Sequence, residues 1–201
     1  MGDKFKLSLS SMESNQMAQV WNFEPGHTAA QFRIRHMMVT WVRGKFTNIT
    51  GSIEWDENDP KNSKILANID VNTLYTGEKD RDHHLLSADF FDAANYPHIK
   101  FSSNKFNQQS ENDFLVTGDL LMRGVTKPVK LMMHRIGKWQ CPYWVGGKDL
   151  GPVWRTGIVG HTRINRHDFG VSWNDKLVRG GIVVANEVHL TLDVEALLQG
   201  K

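Results

Sequence analysis

Residues 81–101 read RDHHLLSADFFDAANYPHIKF, and the reading of this stretch decides how the rest of the chain is arranged. It opens on charged and histidine side chains, Arg81, Asp82, His83 and His84, and then carries Leu85, Leu86, Phe90 and Phe91. So many large apolar groups do not stay in an exposed loop, so the segment lies against a core or a cavity. The Tyr96-Pro97 pair that follows starts an extended run, because the residue before a proline is pushed out of the helical region. On either side the chain alternates as strands do. The expected arrangement is a short helical, aromatic lid, roughly Gly77–Asp92, over an all-β body, and lids of that kind close over something.

Working outward, Ile65, Ala67, Ile69 and Val71 alternate with Leu66, Asn68, Asp70 and Asn72. Phe32, Ile34 and His36 alternate with Gln31, Arg33 and Arg35, and Val188, Leu190, Leu192 and Val194 do the same near the end. A period of two means a strand with one apolar and one wet face. Weaker runs lie at Val20–Phe23, Phe46–Trp55, His98–Ser103, Phe114–Met122, Val129–Ile136 and Gly157–Ile164, so about eight or nine strands are expected. A second, shorter helical signal surrounds Met37–Val42. In the connection from Met122 to Pro128, Gly124 is free to take positive φ and Pro128 suits a strand's first position. Asp56–Asn62 reads as another hairpin-like connection. The fold class is therefore all-β, a sandwich or a closed antiparallel barrel of about eight strands with a lid.

At 201 residues, with 40% hydrophobic and 23% charged side chains, the chain has the composition of one globular domain. Its net charge of +2 comes from interspersed charges, which builds no basic stripe and argues against nucleic acid as a partner. A single cysteine, Cys141, excludes an internal disulfide framework. No apolar run is long enough for a membrane-spanning helix. Residues 1–17 are expected to be a disordered tail, with Met17 an original start, ahead of one barrel domain over 18–201. The tail lacks the continuous apolar core of a secretory signal. As it stands the chain points to the cytoplasm, and to the periplasm if a leader has been removed.

These residues, in this order, resemble a known family. The elements are His27-Thr28 with Phe32 to His36, Gly44-Lys45-Phe46, Thr76-Gly77, Arg81 to Leu85, Asp89 to Asp92 and Tyr96-Pro97. They continue through Gly118 to Leu121, Arg123 to Val129, Ile164-Asn165-Arg166 and Asp168-Phe169-Gly170. Together they are similar to the YceI-like, polyisoprenoid-binding, lipocalin-like proteins of bacteria. The resemblance implies an extended antiparallel barrel of about eight strands, a lid helix near one end and an elongated apolar cavity. It also implies a ligand that is a long-chain amphiphile, a polyprenyl compound, an isoprenoid quinone or a fatty relative, with no catalysis and no cofactor. Lys138–Arg155, KWQCPYWVGGKDLGPVWR, departs from the pattern in being longer and more aromatic.

On that reading the cavity wall is expected from Phe32, Ile34, Phe46, Phe101, Leu120, Met122, Leu131, Met133, Ile164 and Phe169, with Leu85, Phe90 and Phe91 from the lid. Methionines, here Met37, Met38, Met132 and Met133, suit a wall that adapts to a flexible chain. Arg81 or Arg166 is expected at the rim, where a guanidinium fork grips a pyrophosphate or carboxylate head. The competing reading pins each arginine to a nearby aspartate, Asp82 or Asp168. His36 and His84 are candidates to hydrogen-bond a head group inside the barrel. No metal site is expected, since His27, His83, His84 and His98 show no ligand spacing. Two rival functions stay open: an enzyme using Asp82, His83 and His84 as an acid-base cluster, and a stress-response interaction module with a filled core. Trp139, Tyr143, Trp144 and Trp154 suit a transient membrane contact or a partner surface. A homodimer through an exposed barrel strand is a further expectation.

Overall fold

Alternating β-branched and aromatic residues pull nearly the whole chain into one antiparallel sheet that closes on itself. The computed structural model describes residues 18–175, 177 and 180–199, and the tail expected over 1–17 lies outside them. The strands are β1 (Gln19–Phe23), β2 (Ala29–His36), β3 (Thr40–Phe46), β4 (Ile49–Trp55) and β5 (Lys64–Asp70). They continue as β6 (His98–Gln108), β7 (Asp113–Met122), β8 (Val125–Val145), β9 (Lys148–Asn165) and β10 (Val184–Leu198). The order β1-β4-β5-β6-β7-β8-β9-β10 closes where β10 pairs with β1, giving an eight-stranded antiparallel barrel. A 3₁₀ turn at Pro25–His27 bends the chain after β1, and the remaining edge of β10, from Asp193 to Val184, is taken by β2. The β2–β3 hairpin thus extends the wall at one end, where Lys45 and Tyr75 exchange backbone hydrogen bonds of 2.9 and 3.0 Å.

The two ends of the barrel differ. One is solid: Trp21, Ile53, Trp55, Phe106, Phe114 and Met133 are all buried there, with Trp55 edge-on to Phe106 and Phe114 at 6.3 and 5.0 Å. Arg135 stacks over Trp55 at 4.7 Å and reaches Glu57 at 3.1 Å. Burial pushes the Glu57 carboxyl up, but Arg135 and Lys138 outweigh it and hold the group below its ordinary pKa.

The other end carries the only α-helix among the described residues, α1 (Lys79–Leu86). Glu78 caps it by accepting from the Asp80 and Arg81 amides, while Asp80 and Asp82 in its first turn and His83 and His84 in its last suit the helix dipole. Eight residues are too few to hold a helix alone, so tertiary anchors decide its place. Leu85, Leu86, Phe90 and Phe91 pack on the buried cluster of Phe46, Ile49, Leu120 and Met122. Arg123 adds hydrogen bonds to the Ala88 and Gly170 carbonyls.

The helical signal at Met37–Val42 does not form a helix. Strand β3 pairs with β2 from Ala30↔Phe46 to His36↔Thr40, and that ladder overrides local preference. The run expected over Phe46–Trp55 is broken at Asn48, whose φ is 52°. Gly124 takes positive φ at 73°, as expected, but Pro128 lies inside β8 instead of opening it. Strand β9 pairs with β8 only from Met132 on, so the edge beside Pro128 is open and its missing N–H costs no ladder bond.

The β2–β3 turn is strained. Met37 and Met38 have φ of 47° and 61°, and the Val39 amide donates to the His36 carbonyl at 3.1 Å. This is a mirror-image hairpin turn, which asparagine and glycine occupy readily and methionine does not. Replacing Met37-Met38 with Asn-Gly is expected to stabilise the protein by about 1–2 kcal/mol. Thermal melting checks this, with a rise of roughly 2–8 °C in Tm expected for a chain of this size.

Candidate functional site

Between the plugged end and the lid the barrel encloses an elongated cavity of about 280 Å³. Inward-facing residues of β2 to β10 form its wall, and almost every exposed atom on it is carbon. The period-two pattern explains why: Ile65, Ala67 and Ile69 on β5, and Val188, Leu190, Leu192 and Val194 on β10, all face it. Phe32, Ile34, Phe46, Phe101, Leu120, Met122, Leu131, Met133 and Ile164 lie on the wall, and Leu85, Phe90 and Phe91 reach it from the lid segment. Sequence reasoning did not single out Phe23, Ile49, Val171 or Trp173, which also contribute. They sit next to breaks in the strand pattern, where periodicity carries little signal.

Phe169 is the exception among the expected wall residues. It does not line the cavity; it is 1% exposed, in the core cluster with Ala93, Leu120, Met122 and Val171. The chain leaves β9 at Asn165 and enters a 3₁₀ turn, Arg166–Phe169, which carries the ring behind the wall layer. Met37, Met38 and Met132 are also not wall residues. They are 44%, 65% and 47% exposed, because the hairpin turn and the outward face of β8 hold them outside.

The polar groups of the site gather at the lid end. His36, Arg81, His84 and Arg166 all line the cavity there. The His84 side chain is 41% exposed while touching the cavity, so this end, unlike the plugged one, meets solvent. His84 stands edge-on to Phe90 and Trp173 at 5.0 and 4.8 Å and donates from Nε2 to Asp89 at 3.0 Å. The His36 ring has no hydrogen-bond partner among the described residues.

Neither arginine pairs directly with an aspartate as expected. Arg81 donates from Nε to the Thr76 hydroxyl at 2.7 Å and from Nη2 to the Thr76 carbonyl at 2.9 Å. Asp82 accepts from the Thr76 amide at 3.0 Å and from its hydroxyl at 2.5 Å. Thr76 therefore stands between the two charges and ties α1 to the rim. Arg166, 3% exposed, spends its donors on four backbone carbonyls, those of Val171, Trp173, Val184 and Ala185. Burial lowers its pKa from the ordinary guanidinium value.

The acid-base cluster does not assemble: Asp82 is held by Thr76, His83 is exposed on α1, and only His84 touches the cavity. His27 lies 3.3 Å from Glu195, and His98 is exposed at the start of β6. Among the described residues no three His, Cys, Asp or Glu side chains come together as a metal site would need.

A family model described as a YceI-like domain matches residues 21–196. The chain belongs to the YceI-like family. It is similar to a UPF0312 protein of Shewanella denitrificans, 34% identical over 173 residues that make up 86% of this chain and 83% of that one. Protein YceI of Escherichia coli is 34% identical over 176 residues, 88% of this chain and 84% of the relative. Among solved structures, BcnA of Burkholderia cenocepacia shares the fold with a TM-score of 0.68 at 19% identity, covering 86% of this chain and 98% of that one. A polyisoprenoid binding domain from Saccharophagus degradans does so with a TM-score of 0.63 at 13% identity, covering 91% and 99%.

Within the YceI-like barrel, the long aromatic segment of this chain forms the outer part of the β8–β9 hairpin. Pairing of β8 with β7 stops at His134, and pairing of β9 with β10 stops at Arg155. A free two-stranded ribbon continues for roughly 30 Å at the strand rise. It leaves from the plugged end, and Trp139 and Trp144 stand 69% and 62% exposed on it. Arg155 lies over Tyr143 at 5.6 Å. Cys141 is half-buried on the same ribbon.

Proposed function

We propose that this YceI-like protein binds a long-chain, weakly polar lipid of the isoprenoid class inside its barrel, and carries or stores it without chemical change. The observation that carries this reading is the cavity, about 280 Å³ with a wall almost wholly apolar. An empty void of that size costs on the order of 7 kcal/mol at ~24 cal/mol per Å³, comparable to the whole stability of a domain. Water has nothing to bond to on such a wall. A hydrocarbon chain removes the void and gains about 0.8 kcal/mol for each methylene taken from water. The fold shared with a domain named for polyisoprenoid binding supports the isoprenoid class over other hydrocarbons.

The chain lies along the barrel axis with its polar end at the lid. Arg81 is the head-group contact, since its Nη1 has no partner among the described residues, whereas Arg166 is committed to carbonyls. His36 supplies a second polar contact from β2.

Organic extraction of the purified protein followed by mass spectrometry tests the reading. One prenyl lipid, quinone or fatty relative per chain is expected. Delipidation then lowers stability: with ligand at a hundred times its dissociation constant, the loaded form gains about 2.7 kcal/mol. That corresponds to roughly 5–10 °C in Tm, restored by an added octaprenyl compound. An empty extract with no shift on adding the prenyl compound sinks the proposal.

A further inference from the structure

The mouth of the cavity carries a surface that lipid binding in the interior does not use. At the tip of the β2–β3 hairpin, Met38 and Val39 are 65% and 79% exposed, with Met37 at 44% and Ile182 at 37% beside them. The turn conformation holds the two methionines out, since both are fixed in the left-handed region. The tip adjoins the opening directly, because His36, the residue before it, lines the cavity, and the Met37 amide donates to Val183 at 2.7 Å.

Behind the tip the outer face of the same hairpin is basic. Arg33 and Arg43 sit directly opposite each other across β2 and β3, and Arg35 sits opposite Trp41. Like charges directly opposite destabilise a sheet, so the pair calls for an anion from outside. Within the described residues none of these three arginines forms an ion pair. Arg33 and Arg35 instead stack over Trp41, at 4.9 and 4.4 Å. On the neighbouring strand β10, the Glu187 carboxylate is engaged by His189 at 2.9 Å and Arg163 at 3.6 Å, and Asp193 accepts from Gln31 at 3.4 Å.

We infer that the β2–β3 hairpin docks the mouth of the barrel onto an anionic phospholipid bilayer. An apolar tip of this size enters about 5–10 Å, to the boundary between head groups and acyl chains. Arg35 and Trp41 then lie at head-group level, where an amphipathic ring is favoured, and Arg33 and Arg43 follow two residue pairs further out, about 7 Å along the strands. Polybasic attraction supplies the charge complementarity, at about fivefold in affinity for each arginine near the surface. The apolar tip distinguishes this partner from nucleic acid, whose backbone rewards the arginines and gives nothing to Met38 or Val39. The inference takes its purpose from the proposed lipid binding, since it brings the opening to the membrane where such a lipid resides.

Flotation with vesicles tests it, comparing phosphatidylcholine alone with phosphatidylcholine mixed with phosphatidylglycerol. The wild-type protein is expected to float with the mixed vesicles and to be released by salt. The triple variant R33Q/R35Q/R43Q is expected to lose affinity by about a hundredfold. The M37N/M38G variant is expected to lose about tenfold while melting at a higher temperature, which separates lost docking from lost folding. Uptake of an octaprenyl probe from solution without vesicles is measured in parallel and is unchanged in both variants. Failure of the wild type to take up the probe overturns lipid binding and leaves the flotation result standing by itself. Equal flotation with the two vesicle types overturns docking, as does flotation unaffected by either variant. Loss of flotation in W139S/W144S alone moves the contact to the β8–β9 ribbon and overturns it too. So does single-stranded nucleic acid that binds the wild type and displaces it from vesicles.

Discussion

Replacing Val188 with Trp is expected to empty the purified protein of lipid and, at the same time, to raise the melting temperature of the delipidated form. Val188 lies on β10 directly opposite Ile34 on β2 and Ile164 on β9, and all three face the cavity. An indole at this position fills about a third of the void. At ~24 cal/mol per Å³ that recovers about 2 kcal/mol of the cost of empty space, or roughly 4–8 °C in Tm. The same ring blocks the axis along which a hydrocarbon chain lies. A core that is already full responds in the opposite way, since overpacking costs about 1–3 kcal/mol. The measurement pairs mass spectrometry of the extract with thermal melting after delipidation. Lower stability with lipid still retained would show that Val188 does not border open space.

The second large effect falls on Arg166. Its guanidinium is buried and holds the carbonyls of Val171 at 2.7 Å, Trp173 at 2.8 Å, Ala185 at 2.8 Å and Val184 at 3.1 Å. These carbonyls belong to the segment after the Arg166–Phe169 turn and to the first residues of β10, so one side chain ties together a stretch with little regular structure of its own. Arg166→Ala removes the guanidinium donors and strips the Val171, Trp173 and Ala185 carbonyls of them, while Val184 keeps the Asn174 amide at 2.7 Å, and the cost is about 3–5 kcal/mol. A fall in Tm of roughly 6–20 °C is expected, with faster amide exchange at Val171, Trp173 and Val184. Arg166→Lys restores only part of this, because an ammonium offers three donors from one point where the guanidinium offers a planar fork. Unchanged melting of Arg166→Ala would show that the carbonyls find other donors.

The separation of these two roles, wall and rim, was only partly legible in the sequence. Phe32, Ile34, Phe101 and Met133 could be assigned to an interior face because period-two alternation is a property of neighbouring residues, preserved whatever lies across the sheet. Phe169 was misplaced because its element is a 3₁₀ turn and not the strand extension its apolar character suggested. The arginines were misread for a different reason. Proximity in sequence suggested Arg81 with Asp82 and Arg166 with Asp168. On a helix adjacent side chains diverge, and Thr76, five residues before Arg81, is what each member of the first pair finds. Arg166 has backbone partners up to nineteen residues away, which no local pattern encodes.

Local chemistry by itself determined that this chain is all-β with a short aromatic lid and one apolar face to its long strands. These features follow from side-chain type and spacing within a few residues, and each strand carries its own copy of the signal. The choice of a barrel over a sandwich came from the family resemblance and from the β1–β10 pairing that closes the sheet. Only the tertiary structure decided that one end is stoppered by Trp55 and its aromatic neighbours and the other left open under α1. It alone decided that the free aromatic ribbon leaves from the closed end, and that Met38 and three arginines stand at the mouth. Which end of a barrel is filled, and which side chains share a rim, depends on register and closure. Those are set by pairings such as Trp21↔Leu198 and His36↔Val184, between residues more than a hundred apart along the chain.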